Sequence, residues 1–201
     1  MTVAAVRSTT LRDACVTEAL AIIADEGLEH LSLREVARRL GVSHGAPYRH
    51  FESRDHLLAA VVARCYDAFA RHLDARPEGG DADADLWSMG VAYLDYALRE
   101  PLSYQLMFST RLPPPEDHPA MLASADHAFG LLRSALRRRA PSRSEAEIDA
   151  DALFVWSSLH GLAGTLKSDI VGGLALAPET IGDAGAHMLR RIGEALGPAE
   201  T

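Results

Sequence analysis

Residues 32–51, SLREVARRLGVSHGAPYRHF, decide how this chain is read. Ser32 and Glu35 stand at the S-x-x-E spacing of a capping box, which starts a helix by satisfying its orphan amides. Leu33, Val36, Ala37 and Leu40 follow at i, i+3, i+4 and i+7, one apolar stripe for a core. Gly41 comes after the last of them, where a left-handed helix end costs glycine little. Ser43, one valine later, is placed to cap a second helix. Two short helices joined by a Gly-containing turn form the helix-turn-helix, whose second helix enters the DNA major groove. The residues after the turn suit that task, since His44, Tyr48, Arg49 and His50 are polar, aromatic and basic.

Composition bounds the rest. The chain has 201 residues, 48% hydrophobic and 24% charged, an ordinary globular balance with enough length for a sizeable core. Its first residues, MTVAAVRSTT, lack an apolar signal core, and no run approaches the ~20 apolar residues that span a bilayer. Cys15 and Cys65 lie among alanines and valines and read as buried thiols, not as a disulfide. A cytoplasmic location without membrane association is therefore expected. The net charge of −8 argues against a sequence-independent nucleic-acid coat. That acidity is uneven. Residues 1–56 carry seven arginines against eight acids, while residues 57–201 carry thirteen cations against twenty acids.

The periodicity predicts an all-α fold. Thr9 or Thr10 is placed to cap a first helix ending at Glu26-Gly27, with Leu11, Cys15, Ala19, Ile22 and Ile23 on one face. Ser53 is placed to cap a long helix to about His72, with Asp55 in its first turn, where the helix dipole favours an acid. Residues 74–85, DARPEGGDADAD, read as a loop. Further helices are expected at about 86–100, 102–111, 119–139, 144–170 and 178–196, separated by prolines and by Gly172-Gly173. The expected organisation is a three-helix helix-turn-helix head over residues 1–56 and a helical bundle for ligand binding and dimerisation over residues 57–201.

The capped first helix, the S-L-R-E-V-A-x-x-L-G-V-S run, Tyr48-Arg49-His50-Phe51 and Ser53-Arg54-x-x-Leu57-Leu58 together resemble the amino-terminal domain of the TetR family of bacterial transcriptional regulators. The likeness covers about residues 10–60. Trp156-x-x-x-His160-Gly161 is similar to a Trp-His-Gly signature in the carboxy-terminal domain of a subset of that family. The resemblance implies a double-stranded DNA operator, a small-molecule effector and a homodimer built from the last two long helices. It also implies that Tyr48 and the residue at Arg54 reach phosphates. Two departures stand out. The family often has a lysine where Arg54 stands. Its proline often precedes the tyrosine by two or three residues, whereas here Pro47 is adjacent to Tyr48, so the second helix is expected to bend or to start late.

The candidate DNA-binding residues are thus Arg34, Ser43, His44, Tyr48, Arg49, His50 and Arg54. Tyr48 and His50 suit phosphate contacts, with packing and capping as their respective alternatives. Arg49 suits a guanine edge or a phosphate. Arg34, Arg38 and Arg39 lie on or near the exposed face of the first motif helix, and one of them is expected to touch the backbone. Phe51 reads as core. Aromatic and methionine residues of the carboxy-terminal part suit a pocket for a largely apolar molecule, and Tyr93, Met107, Phe129, Trp156 and His160 are the candidate lining. His160, near Ala163 and Gly164, is equally placed for a dimer interface.

The usual nucleophile, zinc, P-loop and dinucleotide motifs do not occur, so no catalytic residues, metal site or cofactor are expected. The reading is a ligand-responsive regulator, with repression the favoured sign, binding a palindromic operator as a homodimer. The alternative is a helical small-molecule-binding or interaction dimer whose head no longer reads DNA.

Overall fold

The computed structural model describes residues 3–77, 80–108 and 111–200. Among them the regular structure is helical: α1 (Val3–Glu26), α2 (Leu33–Arg39), α3 (Arg54–Asp74), α4 (Ala82–Arg99), α5 (Pro101–Phe108), α6 (Pro119–Arg139), α7 (Glu145–Leu166), α8 (Asp169–Gly172) and α9 (Pro178–Leu196). Single 3-10 turns stand at Leu28–His30, Pro47–Arg49 and Pro115–Asp117. The chain divides into two compact units. Residues 1–67 group with Leu102–Ala125, and Ala68–Pro101 groups with residues 126–201. The expected head of residues 1–56 therefore lies inside a larger unit that α3 leaves partway along its length.

The first unit is organised by one apolar core. Cys15, Val16, Ala19, Ile22 and Ile23 of α1 meet Val36 and Ala37 of α2 and Leu57, Leu58, Val61 and Val62 of α3, each no more than 5% exposed. Cys15 and Cys65 are both buried and not joined in a disulfide, and desolvation raises the Cys15 pKa. Helix α1 begins at Val3, well before the expected start, and the side chains of Thr9 and Thr10 lie outside those described. Ser32 caps α2 by accepting the Glu35 amide at 3.1 Å. Only that half of the expected capping box forms, because the Glu35 carboxylate turns to Arg38 at 2.8 and 2.5 Å. At the other end Gly41 adopts φ +64, and Gly41 and Val42 donate to the carbonyls of Arg38 and Ala37, the paired bonds of a Schellman stop. Ser53 caps α3 as expected, accepting the His56 amide at 3.3 Å.

The second unit packs α4, α7 and α9 together. Leu86, Met89 and Tyr93 of α4, Ile148, Ala152, Val155, Leu159 and Ala163 of α7, and Leu189, Ile192 and Leu196 of α9 are all buried. Gly90 permits the approach of α4 to α9, since a Cβ there would lie 2.2 Å from Leu189 Cδ2. The acidic run expected as loop to residue 85 is cut short at Asp81. That residue caps α4 by accepting the Ala84 amide at 2.8 Å, and the first turn holds Asp83 and Asp85, where the helix dipole stabilises acids. Ser144 and Glu147 make a full reciprocal capping box on α7. That helix stops at Leu166 instead of 170, and a separate four-residue turn, α8, is capped by Ser168. Arg137 and Arg138 pair with Glu145 and Asp85. Arg139, 3% exposed, binds Asp83 and donates to the Leu196 and Gly197 carbonyls at the end of α9. The three arginines act as structural ties.

Candidate DNA-binding surface

The segment after the Gly41 stop is not the second α-helix that Ser43 was expected to cap. The Ala46 amide donates to Ser43 O at 2.9 Å, Pro47–Arg49 forms one 3-10 turn, and the His50 amide donates to Pro47 O at 2.9 Å. Pro47 has no amide for the bond back to Ser43 that an α-helix would need, and Gly45 is a weak helix former. The cap position falls to Ala46, which makes no side-chain cap bond. Ala46 nevertheless keeps helical dihedrals, φ −65 and ψ −46, so Pro47 acts by its missing donor and not by expelling its neighbour from the helical region. It occupies the first position of the turn, where a missing amide costs nothing.

Burial sorts the segment into anchors and free groups. Pro47 and Phe51 are buried, Phe51 at 2%, and the Arg12 guanidinium lies 5.4 Å from the centre of the Phe51 ring. Ser43, His44 and Arg49 are exposed, and Tyr48 is 49% exposed, which removes the packing alternative for it. His50 is half-buried, with its ring edge-on to Phe51 at 6.5 Å. A tyrosine hydroxyl, a guanidinium and two imidazoles on one short turn form a donor-rich surface suited to phosphates and base edges.

The arginines nearby divide just as sharply. Arg39 is held by Asp25 at 2.9 Å, Glu26 at 2.5 Å, Glu35 at 3.4 Å and Glu18 at 3.5 Å, so it joins α2 to α1. Arg38 is paired to Glu35, and that hydrogen bond holds the Glu35 carboxyl below its ordinary pKa. Arg54 Nε and Nη2 donate to the carbonyls of Leu31 and Leu28 at 3.0 and 2.8 Å, which leaves Nη1 facing Asp55 at 3.8 Å. Among the described residues neither Arg34 nor Arg49 has an acidic partner, and both are exposed. Sequence reasoning did not find the Arg39 hub or the Arg54 bonds to carbonyls. Glu35 at i−4 signalled only part of the first, and nothing local signalled the second.

The ligand candidates are spread over both units. Tyr93, Phe129, Trp156 and His160 belong to the second, whereas Met107 is buried in the first, where its carbonyl accepts the Tyr66 hydroxyl at 3.1 Å. Burial pushes the Tyr66 pKa up to about 12. In the second unit Phe129 and Trp156 are half-buried, with ring centres 5.5 Å apart, and Tyr93 packs edge-on to Phe69 at 5.4 Å. Burial and then Lys167 lower the His160 pKa, which favours the neutral imidazole. No helix is long and apolar enough to cross a membrane, and no group of three or more His, Cys, Asp or Glu side chains is placed to hold a metal, among the described residues.

Comparison with known proteins agrees with this architecture. Residues 16–61 match the bacterial regulatory proteins of the tetR family, and residues 86–192 match the tetracyclin repressor-like carboxy-terminal domain. The second match alone covers more than half of the chain, and the chain belongs to the TetR family. The HTH-type transcriptional regulator Rv1816 of Mycobacterium tuberculosis is 34% identical over 94 residues, which cover 44% of this chain and 39% of that protein. The chain thus spans about two fifths of the length of that curated relative. The solved structure of SCO4313 superposes with a TM-score of 0.71 at 25% identity, over 92% of this chain and 96% of that one. The multidrug binding protein EbrR, solved with imidazole, shares the fold at a TM-score of 0.65 and 17% identity, over 96% of this chain and 92% of its own.

Proposed function

We propose that this chain is a ligand-responsive transcriptional repressor that binds a palindromic DNA operator as a homodimer. One observation carries the reading. Around the turn at Pro47–Arg49, Ser43, His44, Tyr48 and Arg49 are exposed without acidic partners among the described residues, while the neighbouring Arg38 and Arg39 are neutralised by carboxylates. Tyr48 and His50 hold phosphates, and Arg49 holds a phosphate or a guanine edge. Arg34 contacts the backbone from α2, while Ser43 and His44 meet the groove at the opening of the turn. Two heads spaced about one DNA turn (~34–36 Å) apart read the two half-sites.

Dimerisation runs through α7 and α9. Leu153 and Phe154 on α7 and Ile181 on α9 are 53%, 43% and 43% exposed, apolar surface that a second copy would bury. The effector is a small, largely apolar molecule held in the second unit near the Phe129–Trp156 pair, with His160 as the neutral polar handle. EbrR, which shares the fold, is itself a multidrug binding protein. The effector releases DNA only if it binds the dimer better with its heads misplaced for the operator. Repression is the favoured sign because a dimer on a promoter blocks polymerase without further contacts.

Fluorescence anisotropy with labelled DNA from upstream of the chain's own gene tests this reading, comparing wild type with a Tyr48→Ala, Arg49→Ala double variant at two salt concentrations. Tight, salt-sensitive binding that unrelated DNA does not compete away, and that the variant loses, is the expected result. Equal affinity for random duplexes and for sites selected from the whole genome would overturn it in favour of a dimer that does not read DNA.

A further inference from the structure

We infer that Arg54 is a positioning residue that clasps the helix-turn-helix shut, and that it is not the phosphate contact its place at the head of α3 implies. The inference rests on the DNA-reading proposal for its functional consequence and on geometry alone for its structural one. The guanidinium reaches back over 23 residues to Leu31 O at 3.0 Å and over 26 residues to Leu28 O at 2.8 Å. Those carbonyls belong to the turn just before the Ser32 cap of α2, and Arg54 begins α3 just after Phe51 and Ser53. The two bonds therefore join the two ends of the motif and enclose all of it, α2, the Gly41 stop and the segment around Pro47–Arg49.

The chemistry suits arginine specifically. A planar fork satisfies two carbonyls at fixed separation, whereas an ammonium is a point charge without that geometry. Leu28 O also accepts the Leu31 amide at 3.2 Å, so Nη2 of Arg54 adds a charged donor to the carbonyl that closes this turn. The recognition segment needs such support more than an α-helix would, because most of its backbone bonds are short i to i+3 ones. Nη1, the remaining nitrogen of the fork, lies 3.8 Å from the Asp55 carboxylate, an acid that opposes approach of a phosphate.

Two readouts separate a clasp from a phosphate ligand. The first is amide hydrogen exchange of the free protein. Arg54→Ala and Arg54→Lys are both expected to speed exchange at least tenfold across residues 43–51, with core amides of α7 unchanged. The second is the slope of log affinity against log salt, measured on the tightest duplex that wild type selects from a random 30-base-pair library. A lost phosphate contact lowers that slope by about 0.9. A lost clasp weakens binding at least tenfold and leaves the slope unchanged. Lysine keeps the charge, so a phosphate ligand would tolerate it, whereas a clasp fails with lysine nearly as with alanine. Unchanged exchange, a slope lowered by about 0.9, or wild-type behaviour of Arg54→Lys would each overturn the inference. Should wild type select no duplex, the DNA reading fails, and the exchange comparison still decides the clasp by itself.

Discussion

Helix α2 and the segment that follows it belong to one motif, yet only the first is an α-helix. Each is short. Helix α2 has a serine cap in front, a Schellman stop behind and three buried residues, Leu33, Val36 and Ala37, facing the core. The later segment has a glycine, a proline without an amide and two buried anchors, Pro47 and Phe51, in place of a stripe. Its regularity comes from what it is pinned to, whereas that of α2 comes from its own ends and face. A surface held at two points leaves the residues between them free to meet a ligand. Tyr48 and Arg49 are in that state, and Ser43 and His44 are exposed just ahead of the first anchor.

The largest blow to this contrast is removal of an anchor. Phe51→Ala is expected to cost about 3–5 kcal/mol in urea unfolding, since it empties a site that is 2% exposed. A loss under about 1 kcal/mol would mean that the segment does not hang on Phe51. Gly41→Ala strikes the other partner. No atom lies within 4 Å of its would-be Cβ, so the cost is backbone strain at φ +64, about 1–2 kcal/mol, and Gly41→Asn should cost less.

Pro47→Ala sharpens the contrast. It restores a donor towards Ser43 O but trims a fully buried anchor, so circular dichroism and amide protection should show the segment gaining helix at a net stability cost of about 1–2 kcal/mol. An unchanged segment would move the blame from Pro47 to Gly45. The smallest effect is electrostatic. The Arg38 hydrogen bond depresses the Glu35 pKa in the folded state, so the stability that Glu35 contributes is present above the ordinary carboxylate range and disappears as pH falls below it. Carbon-13 titration of the Glu35 carboxyl should place its midpoint below that of a free glutamate, and Arg38→Ala should bring it back up.

The sequence carried the fold where local chemistry is decisive. The cap at Ser32, the stop at Gly41, the helix over Pro119–Arg139 and the last helix from Pro178 to Leu196 all lie where periodicity and punctuation put them. It misplaced elements where one residue carries two meanings. Asp81 looks like loop by composition and is a helix cap, and Ser43 looks like a cap and is not one, because Pro47 removes the bond that the cap would serve. Of the candidate DNA-binding residues, Tyr48, Arg49 and His44 are exposed, a placement that the polar and basic run after Gly41 signalled. The roles of the arginines were not legible. Arg34, Arg39 and Arg54 differ in what lies 13 to 26 residues away in sequence, and no local pattern reports that.

The contrast between free and tied arginines makes the most direct test. Affinity for the duplex that wild type selects from a random library would be measured at several salt concentrations for Arg49→Ala and Arg38→Ala. The account predicts that Arg49→Ala lowers the salt slope by about 0.9 and weakens binding strongly, while Arg38→Ala leaves the slope as it is. Equal changes in both variants, or a change confined to Arg38→Ala, would contradict the claim that the uncommitted side chains of the pinned turn are the ones that read DNA.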